Sequence, residues 1–135
     1  MTDAWGAAGA ARAAAAVRAR VAVADPAFAL ILGSGLGAVA GRVAATGAIS
    51  YADIPGFAVP GVAGHAGRLT VGTLAGAPVL VFAGRFHMYE GHAPRASAFP
   101  VRVAAALGAR AVVATNAAGG LNPAFVPGDL VLVDD

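Results

Sequence analysis

The stretch FALILGSGLG, residues 28–37, decides the fold of this chain. Its first half, Phe28 to Leu32, is an unbroken apolar run, which is typical of a strand buried on both faces. Its second half holds three glycines, which end the strand in a sharp turn. The residues that follow, Ala38 to Ala45, predict a helix. Strand, glycine loop and helix in this order indicate an α/β protein.

On either side of this stretch, segments with helical patterns alternate with segments that resemble strands. Predicted helices cover Ala7 to Val23, ended by Asp25-Pro26, and Arg95 to Leu107, kinked at Pro100 and ended by Gly108. Predicted strands cover Arg68 to Leu74, Pro78 to Phe82, Ala111 to Thr115 and Asp129 to Val133, and the first two form a hairpin through Ala75-Gly76-Ala77. Residues 50–64 are expected to be irregular. The order predicts an α/β fold with a mixed β-sheet flanked by helices.

The composition excludes several classes of protein. With 59% hydrophobic and 12% charged residues in 135, the chain can bury a core and is not a disordered sequence. Its longest uncharged stretches, residues 26–41 and 111–128, are interrupted by polar residues, glycine or proline, so no membrane span is expected. The amino-terminal run lacks the order of a secretory signal, and the absence of cysteine fits the cytoplasm. The nine arginines are dispersed, which argues against nucleic-acid binding.

The glycine loop allows three interpretations. Its backbone N–H groups and the hydroxyl of Ser34 could bind an anion. A dinucleotide fingerprint, G-x-G-x-x-G, is a second interpretation, but the third glycine comes one residue early, at Gly37. An acid follows about twenty residues later, Asp53, although no clear second strand precedes it. The third interpretation is a plain turn from a strand into a helix.

A denser motif is GRFHMYEGH, residues 84–92. Arg85 offers a planar fork that suits phosphate oxygens, and His87 can donate a hydrogen bond near neutral pH. Tyr89 presents a flat face to a sugar or base, and Glu90 could orient His87 or pair with Arg85. A metal site on His87, Glu90 and His92 has no standard spacing, so no metal is predicted. The alternative is a surface loop whose charges pair with one another.

Two further segments point to the same chemistry. Residues 116–120, NAAGG, form a loop of tiny residues after a predicted strand, where backbone N–H groups could face a ligand. His65 precedes another strand, in a setting that is equally typical of a structural turn. Ser34 has no partner acid for a catalytic triad, and Glu90 is the sole glutamate, so paired carboxylates are also absent. Together these features predict a site for a small anion.

These motifs together resemble the trimeric-type purine nucleoside phosphorylases, over the part of the chain from Phe28 onward. The resemblance corresponds to the amino-terminal half of that family, with a variable helix in residues 1–25 and the phosphate-site core in residues 26–135. Methylthioadenosine phosphorylases, which are related, match these motifs less well. The matching stretches, in family order, are ILGSGLG (31–37), PGVAGHAGRL (60–69), GRFHMYEGH (84–92), FPVRV (99–103) and TNAAGGLNPAFVPGDLVLVDD (115–135).

The resemblance implies phosphorolysis of purine nucleosides to the free base and ribose 1-phosphate, in a cytoplasmic homotrimer. Inorganic phosphate is the co-substrate, and no cofactor is implied. His87 and Glu90 are the predicted catalytic residues, and Tyr89 is predicted to line the ribose. The predicted phosphate ligands are Ser34, His65, Arg85, Phe86 through its backbone position, His87 and the backbone N–H of Ala117.

The base-reading side of the family's site is expected to be missing. The family's Glu and Asn for the leaving purine have no counterpart here, nor do a second phosphate-binding Ser and a ribose-facing His. We therefore expect the chain alone to be inactive or nearly so and poorly soluble at an unpaired sheet edge. Two other hypotheses remain open, a nucleotide-binding module without catalysis and a half-subunit of a split phosphorylase. The purine preference is not predicted.

Overall fold

A computed structural model of the chain describes residues 3–58 and 66–134. Each predicted core strand between residues 28 and 83 is present, and two single turns of 3-10 helix lie at Tyr51–Asp53 and Met88–Glu90. The helices are α1 (Ala7–Arg18), α2 (Gly37–Ala40), α3 (Pro94–Ser97) and α4 (Phe99–Ala106); the strands are β1 (Phe28–Leu32), β2 (Ala44–Ser50), β3 (Arg68–Leu74), β4 (Ala77–Ala83) and β5 (Val112–Ala114).

The five strands form one mixed sheet in the order β2-β3-β4-β1-β5, which confirms the predicted architecture. β2, β3 and β4 are antiparallel neighbours, whereas β1 is parallel to both β4 and β5. Leu30 pairs with Val81 on one side and with Val113 on the other. Because these three strands run in one direction, their carboxyl ends meet at the same edge of the sheet.

Both faces of β1 are buried, as the apolar run predicts. Ala29 and Ile31 belong to the larger core, which α1 and α4 cover, while Leu30 and Leu32 belong to a smaller core beneath α2. The guanidinium of Arg18 donates to the carbonyls of Ala106 and Leu107, at 3.2 and 3.1 Å, and so satisfies two free carbonyls at the end of α4. This contact joins the end of α1 to the end of α4.

The prediction of a helix from Ala38 to Ala45 is wrong beyond Ala40. The chain turns there and enters β2, an edge strand that the sequence analysis missed. Only Ile49 of β2 is buried, so the segment carries almost no apolar periodicity, and pairing with β3 stabilises it instead. A register shift between Ala45 and Gly47 further blurs the pattern.

Three other boundaries differ from the predictions. α1 ends at Arg18 instead of Val23, and the predicted helix from Arg95 to Leu107 is divided into α3 and α4. Pro100 causes the division because it lacks an N–H group, which suits the first turn of a helix and not its interior. The predicted strand from Asp129 to Val133 is wrong, since residues 116–134 contain neither helix nor strand and are exposed.

Within the described residues, no helix is both long and apolar enough to cross a membrane.

The closest contact between β2 and β3 yields a first prediction. A Cβ atom on Gly72 would lie 2.3 Å from the carbonyl oxygen of Ala44, so Gly72→Ala must push the edge strand away. We expect a loss of about 1–3 kcal/mol in the free energy of unfolding, measured by urea denaturation. Gly119→Ala is the matched control, because nothing lies within 4 Å of its added Cβ. Equal stability of the two variants would contradict this packing.

Candidate active site

Thr115 joins the carboxyl ends of β1 and β5 through its backbone N–H, which donates to the carbonyl of Ile31 at 3.1 Å, and through its hydroxyl. Thr115 Oγ1 accepts a hydrogen bond from the N–H of Gly33 at 2.9 Å and donates one to the carbonyl of Ile31 at 3.1 Å. A Cβ atom on Gly33 would lie only 2.4 Å from the carbonyl oxygen of Thr115, so glycine is required for this approach. The start of the glycine loop is therefore held against the start of the 116–120 loop.

A small cleft lies between the ends of β1 and β4. Its volume is about 60 Å³, and its walls consist of backbone and small side chains. Ser34 lies beside it in an exposed turn, where Gly35 adopts a left-handed backbone conformation with φ +85°. The lining residues are Leu32, Gly33, Gly37, Ala40, Ala66, Ala83 and Gly84. The cleft can admit a few atoms of a ligand, and it offers them backbone groups.

A larger cavity of about 260 Å³ lies beside the ends of β1 and β5, under α3 and α4. Within the described part of the chain, Arg85 Nε and Ser97 Oγ are buried here without a hydrogen-bond partner. Buried polar atoms without partners are uncommon in folded proteins, and they mark a place where a polar group is expected. The lining residues are Ile31, Arg85, Phe86, His87, Ser97, Pro100, Val101 and Ala114.

His87 is oriented by Glu90, as one of the two predicted roles for that acid requires. Glu90 Oε2 lies 2.8 Å from His87 Nδ1 and also accepts the backbone N–H of His87 at 3.0 Å. The 3-10 turn at Met88–Glu90 makes both contacts possible, because it brings Glu90, the last residue of the turn, back over His87, which precedes it. The contact of Nδ1 with the carboxylate fixes the orientation of the imidazole ring. The Tyr89 ring stacks on the imidazole, with centroids 4.6 Å apart.

Tyr51, which the sequence analysis did not identify, holds the start of the GRFHMYEGH segment. Its hydroxyl donates to the carbonyl of Gly84 at 3.0 Å, and its ring packs edge-on against Phe86 and Phe57. Gly84 has a φ of +132°, so the chain bends there before it reaches Arg85. Burial raises the pKa of the Tyr51 phenol, which therefore remains a donor in alkaline solution.

The structure brings some of the predicted site residues together and leaves others apart. Arg85, Phe86 and His87 line the larger cavity, and Glu90 contacts His87. Ser34, Tyr89 and Ala117 are exposed and line neither cavity. His65 lies outside the described residues, although the adjacent Ala66 lines the small cleft.

Among the described residues, no group of three or more potential metal ligands lies together.

Three contributors were missed by sequence reasoning: Thr115, Tyr51 and Ser97. Thr115 and Tyr51 act through contacts with residues distant in sequence, and Ser97 is notable because its buried hydroxyl has no partner in the described residues. Only the position of Thr115 at the end of a predicted strand could have drawn attention to it. A lone Tyr in a segment expected to be irregular and a lone Ser in a predicted helix carry no such signal.

The buried phenol predicts a specific alkaline transition. The chain has no lysine or cysteine, the other side chains that commonly ionise in alkaline solution. The pKa of Tyr51 is raised only in the folded chain. Its contribution to the free energy of unfolding is therefore constant below about pH 10 and falls as the pH rises further. We expect the free energy of unfolding to drop by about 1.4 kcal/mol from pH 9 to pH 11.

Two tyrosine variants test the assignment. Tyr51→Phe should cost about 1 kcal/mol at neutral pH, because Gly84 loses its hydrogen bond, and should abolish the alkaline drop. Tyr89→Phe is the matched control and should keep the wild-type profile, because Tyr89 is 76% exposed. Urea denaturation at each pH measures both effects, and an alkaline drop that persists in Tyr51→Phe would contradict the assignment.

Comparison with known proteins identifies the family. Residues 27–135 match the family model of the phosphorylase superfamily. The chain is 52% identical over 111 residues to purine nucleoside phosphorylase 1 of Geobacillus stearothermophilus, covering 82% of this chain and 40% of the relative. It is 48% identical over 110 residues to the purine nucleoside phosphorylase of Rattus norvegicus, of which it covers 38%. The chain thus spans about two fifths of the length of these relatives.

Solved structures agree with the sequence comparisons. A crystal structure of purine nucleoside phosphorylase in complex with ribose-1-phosphate superposes with a TM-score of 0.83 at 39% identity, over 93% of this chain and 46% of that one. The Schistosoma mansoni enzyme in complex with adenosine gives a TM-score of 0.82 at 38% identity, over 93% and 43% of the two chains. These matches confirm the predicted fold and the resemblance: the chain belongs to the phosphorylase superfamily.

Proposed function

We propose that this chain forms the phosphate-binding part of a purine nucleoside phosphorylase. The complete enzyme would convert purine ribo- and deoxyribonucleosides and phosphate into the free base and the α-D-pentose 1-phosphate, as part of purine salvage. The observation that carries the proposal is that Arg85 and His87 line one cavity at the strand ends, with His87 oriented by Glu90. The names of the relatives support purine nucleosides over methylthioadenosine.

The chemistry requires little more than positioning from these residues. Phosphate is already an anion, so no side chain has to deprotonate it. One phosphate oxygen bonds to the anomeric carbon from the side opposite the base, while the bond to the purine nitrogen breaks. The electron pair leaves with the base, which takes up a proton. Holding phosphate near the sugar can lower the barrier by several kcal/mol, and its charge stabilises the cationic ribose in the transition state.

Individual residues have distinct roles in this proposal. The guanidinium of Arg85 and the imidazole of His87 bind phosphate, with Glu90 as the residue that positions the imidazole. Ser34, His65, the backbone at Phe86 and the N–H of Ala117 complete the phosphate ligands. Tyr89, stacked on His87, lines the ribose. We further propose a cytoplasmic homotrimer without a cofactor, an expectation that rests on the family resemblance.

A dinucleotide-binding module is the less well supported alternative. That site requires a βαβ unit in which the acid follows a second strand parallel to the first. Here the strand before Asp53 is β2, which lies at the far edge of the sheet and pairs antiparallel with β3. The helix after the glycine loop, α2, has only 4 residues. Both features favour a small anion over a dinucleotide.

A chimera tests the proposed activity. Residues 27–135 replace the matched segment of the Geobacillus stearothermophilus relative, and inosine cleavage is followed at several phosphate concentrations. We expect turnover that depends on phosphate, with ribose 1-phosphate as the product. Arg85→Ala should raise the KM for phosphate roughly 10-fold to 100-fold, because a charged hydrogen-bond donor is lost.

The control for this variant is Arg102→Ala, which removes an exposed arginine from α4 and should leave both kinetic constants unchanged. A folded chimera without phosphate-dependent turnover would overturn the proposed function. An unchanged phosphate KM in Arg85→Ala would overturn the assignment of the site.

The 135-residue chain alone provides a separate prediction. Because the residues for the leaving purine are not expected in it, purified chain should not cleave inosine or guanosine measurably, with or without phosphate. The assay is release of free base, and the chimera serves as the positive control. Substantial phosphate-dependent turnover by the chain alone would refute the predicted division of the site.

A further inference from the structure

Tyr51 lies behind both cavities and lines neither of them. Its side chain is fully buried. Its backbone N–H donates to the carbonyl of Gly67 at 2.8 Å, and its hydroxyl donates to the carbonyl of Gly84 at 3.0 Å. The N–H of Gly67 in turn donates to the carbonyl of Ala83 at 2.9 Å. Two segments, one just before β3 and one just after β4, are thereby held to a single residue.

These contacts reach the walls of both cavities. Ala66 and Gly84 are walls of the small cleft, whereas Arg85 and Phe86, which follow Gly84, are walls of the larger cavity. The Phe86 ring packs edge-on against the Tyr51 ring, with centroids 5.6 Å apart. The chain therefore passes from one cavity to the other at Gly84, and Tyr51 is the side chain that holds it there.

Gly84 needs this external contact because its own conformation is weakly determined. Its φ of +132° lies in a region that glycine adopts and other residues rarely do. Glycine has many other backbone conformations of similar energy, so the hydrogen bond from Tyr51 selects one of them. A rotation at Gly84 would displace Arg85, the next residue, relative to the cleft. Only molecules with Arg85 in place would bind an anion there, and the apparent affinity falls with their fraction.

We infer that Tyr51 is a positioning residue for phosphate. By holding the Gly84 carbonyl, its hydroxyl keeps the backbone groups of the small cleft and the guanidinium of Arg85 in the arrangement that binds one anion. Tyr51 itself touches no substrate. The inference rests on the proposed function in one respect, the identity of the anion. It predicts a loss of phosphate affinity that leaves the reaction of bound phosphate intact.

Phosphate kinetics in the chimera test this role. Tyr51→Phe removes the hydroxyl and keeps the ring, so it should raise the KM for phosphate about fivefold, the effect of one hydrogen bond. The kcat at saturating phosphate and the KM for inosine should keep their wild-type values, because bound phosphate restores the native arrangement. A merely structural role would lower the thermal stability without this selective change in the phosphate KM.

Thr46→Val is the matched control. It also removes a hydroxyl that donates to a main-chain carbonyl, that of Val71 at 3.2 Å, but it does so on β2 at the edge of the sheet. It should lower the thermal stability and leave the phosphate KM unchanged. The loss of one hydrogen bond is small beside the stability of a folded domain, so both variants are expected to fold, which circular dichroism checks.

The outcomes separate this inference from the proposed function. An unchanged phosphate KM in Tyr51→Phe, in a chimera whose phosphate KM responds to Arg85→Ala, would overturn the inference and leave the proposed function in place. A folded chimera without phosphate-dependent turnover would overturn the proposed function. The affinity of the 135-residue chain for inorganic phosphate, measured by NMR titration, then decides the inference. It should fall about fivefold in Tyr51→Phe, and equal affinity of the two chains, or no binding by either, would contradict the role of Tyr51.

Discussion

The parallel pairing of β1 with β4 on one side and with β5 on the other is the constraint on which the rest of the structure depends. Parallel strands cannot be joined by tight turns, so longer connections are needed. The chain passes from β1 to β4 through α2, β2 and β3, and from β4 to β5 through α3 and α4. The same pairing places three loops at one edge. The Thr115 hydroxyl contacts the start of the glycine loop at Gly33, and the Tyr51 hydroxyl fixes the start of the 84–92 segment through the Gly84 carbonyl.

The site that results combines backbone groups with a few charged side chains. Small residues keep the cleft between β1 and β4 open to main-chain donors, while Arg85 and His87 line the neighbouring cavity. Glu90 Oε2 lies 2.8 Å from His87 Nδ1 and so fixes the orientation of the imidazole. This arrangement suits an anion that arrives fully charged, because the protein has to orient it and does not have to create a nucleophile.

The sequence predicted those parts of the fold whose stability is local or carried by apolar patterning. Two strands begin and end where they were predicted, because each is a buried run bounded by glycine or by a turn: Phe28–Leu32 and Arg68–Leu74. β2 was missed because its stability comes from pairing with β3 and not from its own side chains. The segment from Asp129 to Val133 was predicted as a strand from its apolar pattern alone. In the described residues it forms no strand, because no neighbouring strand pairs with it. The hypothesis that Arg85, His87 and Glu90 belong to the site rests on their chemistry, whereas Thr115, Tyr51 and Ser97 depend on surroundings that only the tertiary fold creates.

If the three strand ends form one anion site, phosphate must affect all of them at once, and a phosphate titration followed by NMR measures this. Arg85 Nε is buried, so its N–H signal is resolvable from those of exposed arginines, and the backbone signals of residues 33–37 report on the glycine loop. We expect inorganic phosphate to shift the Arg85, Gly33 and Ala117 signals together, with one saturable binding curve, and chloride at equal ionic strength to leave them unchanged. Shifts spread evenly over the exposed arginines, or no shift at the strand ends, would contradict it.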